Sequence, residues 1–168
     1  MFDDPIVEKL PMGRVLELLR QVWAVDHAVQ QLSRAMASHL GLTGPQRLVL
    51  RVIGRRPRIS AGELAAFLHL DASTMTGHLQ KLEELGLLER RVALDDARRA
   101  AIVLTPRGRR LDTKTPGTIE AAMEEALGEM NPAAIDEAER FLKRFAVALT
   151  RQTAACETRK RRPRRRTR

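Results

Sequence analysis

The 168 residues are enough for one domain, or one domain with an extension, and 43% hydrophobic residues suffice for a core. No apolar run approaches the roughly 20 residues a spanning helix needs, and Met1-Phe2-Asp3-Asp4 is not the basic start of a signal peptide, so a soluble cytoplasmic protein without a membrane partner is expected. The formal net charge of +9 points toward nucleic acid, yet residues 159 to 168 alone hold eight Lys/Arg; in the remainder the positive excess sits in residues 42 to 110, with 13 Lys/Arg against 7 Asp/Glu.

After a leader containing Pro5 and Pro11, the stripe Leu18, Val22, Val25, Val29, Leu32, Met36 and Leu40 predicts a long first helix from about Met12, with Trp23 as a packing anchor. Gly41 stops it. Thr43 is the expected N-cap of a second helix, with Pro45 in its first turn. That helix runs to about Arg56. Leu48, Val49, Val52 and Ile53 form its expected buried face, and Arg47, Arg51, Arg55, Arg56 and Arg58 its solvated surroundings. Ser60-Ala61-Gly62-Glu63 fits a capping box, a hydroxyl followed three residues on by a carboxylate, and opens a short third helix.

Asp71 follows almost at once and caps a fourth helix, Ala72 to Leu85, whose apolar stripe is Met75, Leu79, Leu82 and Leu85. The tight turn between these helices has the spacing of a helix-turn-helix. Gly86 to Arg91 reads as a turn and a strand, Asp95-Asp96 as a tip, and Ala100 to Leu104 as the return strand. The motif is therefore winged. Its second helix is expected to read the major groove. Thr105-Pro106 opens a fifth helix that Pro116-Gly117 should kink or break. The pattern resumes through Ile119 to Met130, and Asn131-Pro132 caps a last helix carrying Ile135, Ala138, Phe141, Leu142, Phe145 and Leu149.

The terminal helices hold more apolar surface than a winged helix-turn-helix requires, which predicts a two-fold dimer. Leu18, Val22, Ile135, Phe141, Leu142, Phe145 and Leu149 are the expected dimerisation residues. The resulting division is residues 1–41 for an N-terminal dimerisation helix and 42–105 for the DNA-binding domain. Residues 106–153 form C-terminal dimerisation helices, and 154–168 a disordered basic tail.

The ordered set Leu42-Thr43 with Gln46 and Leu50, Glu63-Leu64-Ala65, Ser73-Thr74-Met75-Thr76, Leu82 to Arg90, Asp96-x-Arg98 and Leu104-Thr105-Pro106-x-Gly108 resembles the MarR family of bacterial transcriptional regulators. The motifs cover about residues 42 to 110. The resemblance implies a mainly α fold with a small β-hairpin wing. It also implies a dimeric repressor or activator on a pseudopalindromic operator, often relieved by a small ligand bound between the dimer helices and the reading head. Family members commonly carry an arginine or another long side chain where this chain has Gly77. Some relatives use a peroxide-sensing thiol near the start of the first helix, which has no counterpart here because Cys156 lies at the other end.

Expected DNA-binding positions are Ser60, Ser73, Thr74, Thr76, Gly77, His78, Lys81, Arg90, Asp96, Arg98 and Arg99, against the alternative of an ordinary solvated helix face and surface charges. Arg98 is expected in the minor groove, with Asp96 orienting it. His78 lies beside the buried stripe and also reads as a packed neutral histidine. His27, His39, His69 and His78 have no i, i+4 pair and no neighbouring cysteine, so no metal or other cofactor is expected. Cys156 alone can form neither an internal disulfide nor a thiolate cage and reads as a bystander. No phosphate loop and no nucleophile with a paired base is present, which argues against an enzyme. The expected partners are double-stranded DNA, a second copy of the chain and a small-molecule effector. The rival reading is an architectural or RNA-associated protein dominated by its Arg-rich tail.

Overall fold

The computed structural model describes residues 13–92 and 100–161, with side chains at 13–91 and 101–158. The element order is α1 (Gly13–Leu40), α2 (Gly44–Arg55), α3 (Ala61–Leu68), α4 (Ala72–Glu84), β1 (Leu88–Val92), β2 (Ala100–Leu104), α5 (Pro106–Leu111), α6 (Ile119–Gly128) and α7 (Pro132–Arg161). Two compact units divide the chain, residues 1–121 and 122–168.

In the first unit, helix starts are fixed by the caps expected from the sequence. Thr43 Oγ1 accepts from the Gln46 amide while Gln46 Oε1 accepts from the Thr43 amide, a reciprocal box before Pro45. Ser60 and Glu63 repeat the arrangement at α3, and Thr105 Oγ1 accepts from the Gly108 amide at α5. Each bond satisfies an amide that the helix leaves without a partner, typically worth ~1 kcal/mol. Strands β1 and β2 pair antiparallel with Leu88 opposite Leu104 and Arg90 opposite Ile102, and an Ile59–Ile102 bridge adds a third edge.

One core joins α2, α3, α4 and the hairpin: Leu42, Val49, Leu50, Ile53, Ile59, Leu64, Met75, Leu79, Leu82, Leu87, Leu88, Ile102 and Leu104 are all buried. Burying a side chain of this size contributes roughly 1.5–3 kcal/mol, which makes this the dominant favourable term in the unit. Gly108 lets α5 approach the base of the hairpin, since a Cβ there would run into the Leu87 carbonyl oxygen. Helix α1 joins through Met36, buried, and Ser33, whose Oγ accepts from the Gly44 amide at 2.9 Å.

Several expectations are corrected. On α2 Val49 and Ile53 are buried as expected, but Arg47 is 1% exposed and Leu48 is 53% exposed, because polar partners for the guanidinium lie against that side of the helix. Trp23 is 65% exposed and is no packing anchor within the chain. Helix α5 ends at Leu111 and not at Pro116, its last turn closing as the Asp112 amide donates to the Gly108 and Arg109 carbonyls.

In the second unit Asn131 Oδ1 accepts from the Ala134 amide and starts α7, as its sequence suggested. The helix continues to Arg161, so residues 154–161, expected as tail, are helical. Ala154 and Ala155 carry helix propensity through a stretch that the charge pattern alone marks as a breaking point. The Phe141 and Phe145 rings stack with centroids 5.9 Å apart. Ile135 and Phe145 are half-buried, while Phe141, Leu142, Val147 and Leu149 are exposed.

Candidate nucleic-acid interface

The chain between α3 and α4 reverses in three residues. His69 takes the left-handed conformation (φ 53°), for which histidine is one of the more tolerant residues, and its amide donates to the Ala66 carbonyl. Asp71 then caps α4. The helix places Met75, Leu79 and Leu82 in the core and turns Ser73, Thr74, Thr76, Gly77, Gln80 and Lys81 outward, all exposed. His78 is half-buried between the two faces, as its wheel position implies.

The hydroxyls at the start of that outer face are already engaged. Ser73 Oγ donates to Asp71 Oδ1 at 2.5 Å, Thr74 Oγ1 donates to Asp71 Oδ2 at 2.6 Å, and the Thr74 amide donates to Asp71 Oδ1 at 2.8 Å. Thr76 Oγ1 donates to the Ala72 carbonyl at 2.7 Å. With their hydrogens committed, these oxygens present lone pairs outward and can accept from amino groups of bases. The Ser73 and Thr74 hydroxyls, followed by the Thr74 amide, hold the Asp71 carboxyl well below the usual carboxylate range. A depressed carboxyl stabilises the folded state at pH values above its unfolded value of 3.8 and loses that contribution as the pH falls below it, so the cap is intact at neutral pH.

Further along α4, a Cβ at Gly77 would meet nothing within 4 Å. Lys81 Nζ lies 3.2 Å from Glu84 Oε2, and Gln80 Nε2 donates to Glu84 Oε1. Arg90 on β1 reaches Glu83 at 3.3 Å and ties the hairpin to the end of α4. Arg91 pairs instead with Glu89 on its own strand. Exposed pairs of this kind contribute at most ~1 kcal/mol, so a phosphate can draw Lys81 or Arg90 away at small cost. Ser60 lies at the N-terminus of α3 with its hydroxyl donating to Glu63 Oε2 at 2.5 Å. Asp96, Arg98 and Arg99, expected at the wing tip, lie outside the described residues.

Sequence reading anticipates the face but misses two arrangements. One is the Asp71 clasp on both hydroxyls; Asp-x-Ser-Thr, with its carboxylate two and three residues before hydroxyls, is the signal that could have found it. The other is the burial of Arg47, which shares the period of Leu50 and Gly54 but carries a charge that suggests solvent. Among the described residues, no group of three or more His, Cys, Asp or Glu could hold a metal ion. Cys156 is exposed on α7, and no described helix is long and apolar enough to cross a membrane.

Comparison with known proteins gives a consistent result. Residues 40–99 match the model of the MarR family. The chain is 32% identical over 136 residues to the HTH-type transcriptional regulator TtmR of Methylorubrum extorquens, covering 81% of this chain and 67% of that protein. It is 31% identical over 140 residues to the HTH-type transcriptional repressor Rv2887 of Mycobacterium tuberculosis, covering 83% and 96%. In fold it is similar to MepR in the S. aureus MepR–DNA complex, with a TM-score of 0.66; 18% of residues are identical, and 77% of this chain and 94% of that chain are covered. The winged helix-turn-helix, its outward polar helix and these relatives together place the chain in the MarR family, as a DNA-binding transcriptional regulator and not an enzyme.

Proposed function

We propose that the chain is a homodimeric repressor that sets α4 of each protomer into successive major grooves of a pseudopalindromic operator. The observation that carries this reading is the division of α4: Met75, Leu79 and Leu82 are buried, while Ser73, Thr74, Thr76, Gly77, Gln80 and Lys81 face outward without large side chains at the N-terminal end. Ser73, Thr74 and Thr76 accept from base amino groups, Lys81 and Arg90 exchange their glutamates for phosphates, and Arg98 in the wing enters the minor groove. Ser60 and His78 are further proposed contacts, and Asp96 and Arg99 are proposed with Arg98 from their place in the sequence alone. The repressor assignment follows the Mycobacterium tuberculosis relative, which is named a repressor. Release by a small ligand rests on the family resemblance, and the cytoplasm, where bacterial DNA lies, is the matching compartment.

Support for the dimer comes from apolar side chains that neither unit covers. Leu18, Trp23 and Val25 on α1, and Phe141, Leu142 and Leu149 on α7, are exposed in the single chain. Leaving this much apolar surface in water is costly, and a second copy of the same surface removes it. The test is selection of bound duplexes from random DNA by the full-length protein, followed by footprinting. Protection of one short inverted repeat by two protomers is expected. Uniform coating without a preferred sequence would overturn the reading in favour of the architectural or RNA-associated alternative.

A further inference from the structure

The carboxylate of Asp71 makes more bonds than a helix cap requires. Capping α4 takes one acceptor, and Asp71 Oδ1 supplies it to the Thr74 amide at 2.8 Å. The remaining capacity goes to side chains: Oδ1 also accepts from Ser73 Oγ at 2.5 Å, and Oδ2 accepts from Thr74 Oγ1 at 2.6 Å. Since an ionised carboxylate can only accept, the hydrogens in both bonds belong to the hydroxyls. Those same bonds hold the carboxyl well below the usual carboxylate range, so it is ionised at neutral pH. Asp71, Ser73 and Thr74 are all exposed, and their oxygens meet whatever the outer face of α4 meets. These bonds lie within residues 71–74 of the first unit, so a single reading head carries the arrangement.

A free hydroxyl is indifferent to base identity, because it donates or accepts by turning about its C–O bond. Ser73 and Thr74 are not free to turn. Donating to the major-groove oxygen of guanine or thymine would break a bond to a charged oxygen, roughly twice as strong as the neutral bond replacing it, and would leave the carboxylate facing a second acceptor. Accepting from the amino group of adenine or cytosine breaks nothing.

We propose that Asp71 is a positioning residue for base recognition: by holding the hydrogens of Ser73 and Thr74 it makes both hydroxyls acceptors only, and so directs α4 to bases that carry an amino group in the major groove, adenine and cytosine. The inference rests on α4 as the reading helix, as proposed above, and needs no particular arrangement of protomers. Selection from random duplexes is repeated with full-length Ser73→Ala and Thr74→Val, and the operator positions at which either variant loses preference are those the hydroxyls read. At these positions the wild type is titrated on duplexes with purine in place of adenine, or a cytosine analogue lacking the exocyclic amino group, and on duplexes whose thymine or guanine lacks its major-groove oxygen. Wild type should lose about tenfold in affinity without the amino group and change by less than about twofold without the oxygen. Asp71→Asn keeps an oxygen for the Thr74 amide but replaces the other carboxylate oxygen with an amino group, which frees a hydroxyl hydrogen. Its preference at the same positions should fall about tenfold, and its preference elsewhere in the operator should not move.

Wild-type binding that depends on the oxygen and not on the amino group would overturn the proposal, and that measurement requires no variant to fold. An Asp71→Asn profile identical to wild type would also overturn it. So would a loss spread evenly over all operator positions, which would leave Asp71 a helix cap alone. If neither Ser73→Ala nor Thr74→Val alters the profile, the reading role of α4 itself fails, and the proposal falls with it.

Discussion

A Cβ built at Gly77 meets no atom within 4 Å, so the middle of the outer face of α4 is open. Gly77→Arg therefore fits the free protein and extends a guanidinium from a helix whose neighbours Thr74, Thr76 and Lys81 are the proposed contacts. A good bidentate base contact is worth about 1 to 3 kcal/mol, so the variant should change preference tenfold or more at one operator position, most strongly in favour of guanine. Selection from random duplexes checks this, and an unaltered profile would mean that this face does not approach the bases. At this scale the sequence is informative wherever the signal is local. Asp71, Thr43, Ser60 and Thr105 are legible as caps because an oxygen-bearing side chain just before an apolar stripe satisfies amides within three residues. Arg47 is not legible, because Glu120 lies 73 residues away and no periodicity reports a distant acceptor.

The elements carry the same lesson in their packing. Helix α4 and the two paired strands are read correctly from their residue patterns and from Gly86, which takes the left-handed conformation (φ 67°) that ends the helix. The face of α2 is read correctly at Val49 and Ile53 but not at positions 47 and 48, since ranking side chains by hydrophobicity puts Leu48 inside and Arg47 outside, and the polar connector between α5 and α6 reverses that order. Two glycines make the dependence on context measurable. Gly77→Ala, in an open helix interior, should stabilise by about 1 kcal/mol through the lower entropy of the unfolded chain and better helix propensity. Gly108→Ala should destabilise by about 1–3 kcal/mol or more, because the added methyl collides with the Leu87 backbone and α5 must move off the hairpin. Urea unfolding of both variants at one protein concentration tests the pair. Equal signs would show that the approach of α5 to the hairpin is not close.

For the whole molecule, the distribution of charge and apolar surface argues for association before contact with DNA. The net charge of +9 depends on the eight Lys/Arg of residues 159 to 168, and α7 runs into that basic stretch as far as Arg161. Sequence composition marks the stretch as a tail because like charges repel, and it cannot register that the helix before it continues. Upstream on α7, Leu142 is 59% exposed, Leu149 is 53% exposed, and Phe141 and Phe145 stack on one another. Covering a side chain of this kind contributes roughly 1.5–3 kcal/mol, and two protomers each supply several. Replacing both Leu142 and Phe145 by Glu puts two negative charges per protomer into that surface, at a cost larger than a typical dimer can absorb. The double variant should sediment as a monomer. It should keep its helical circular dichroism, because the core of the reading head lies in the other unit. Operator affinity should fall at least a hundredfold, since each protomer then binds one half-site without the effective concentration that linkage gives the second. A variant that remains dimeric by sedimentation and retains operator affinity would remove α7 from the interface.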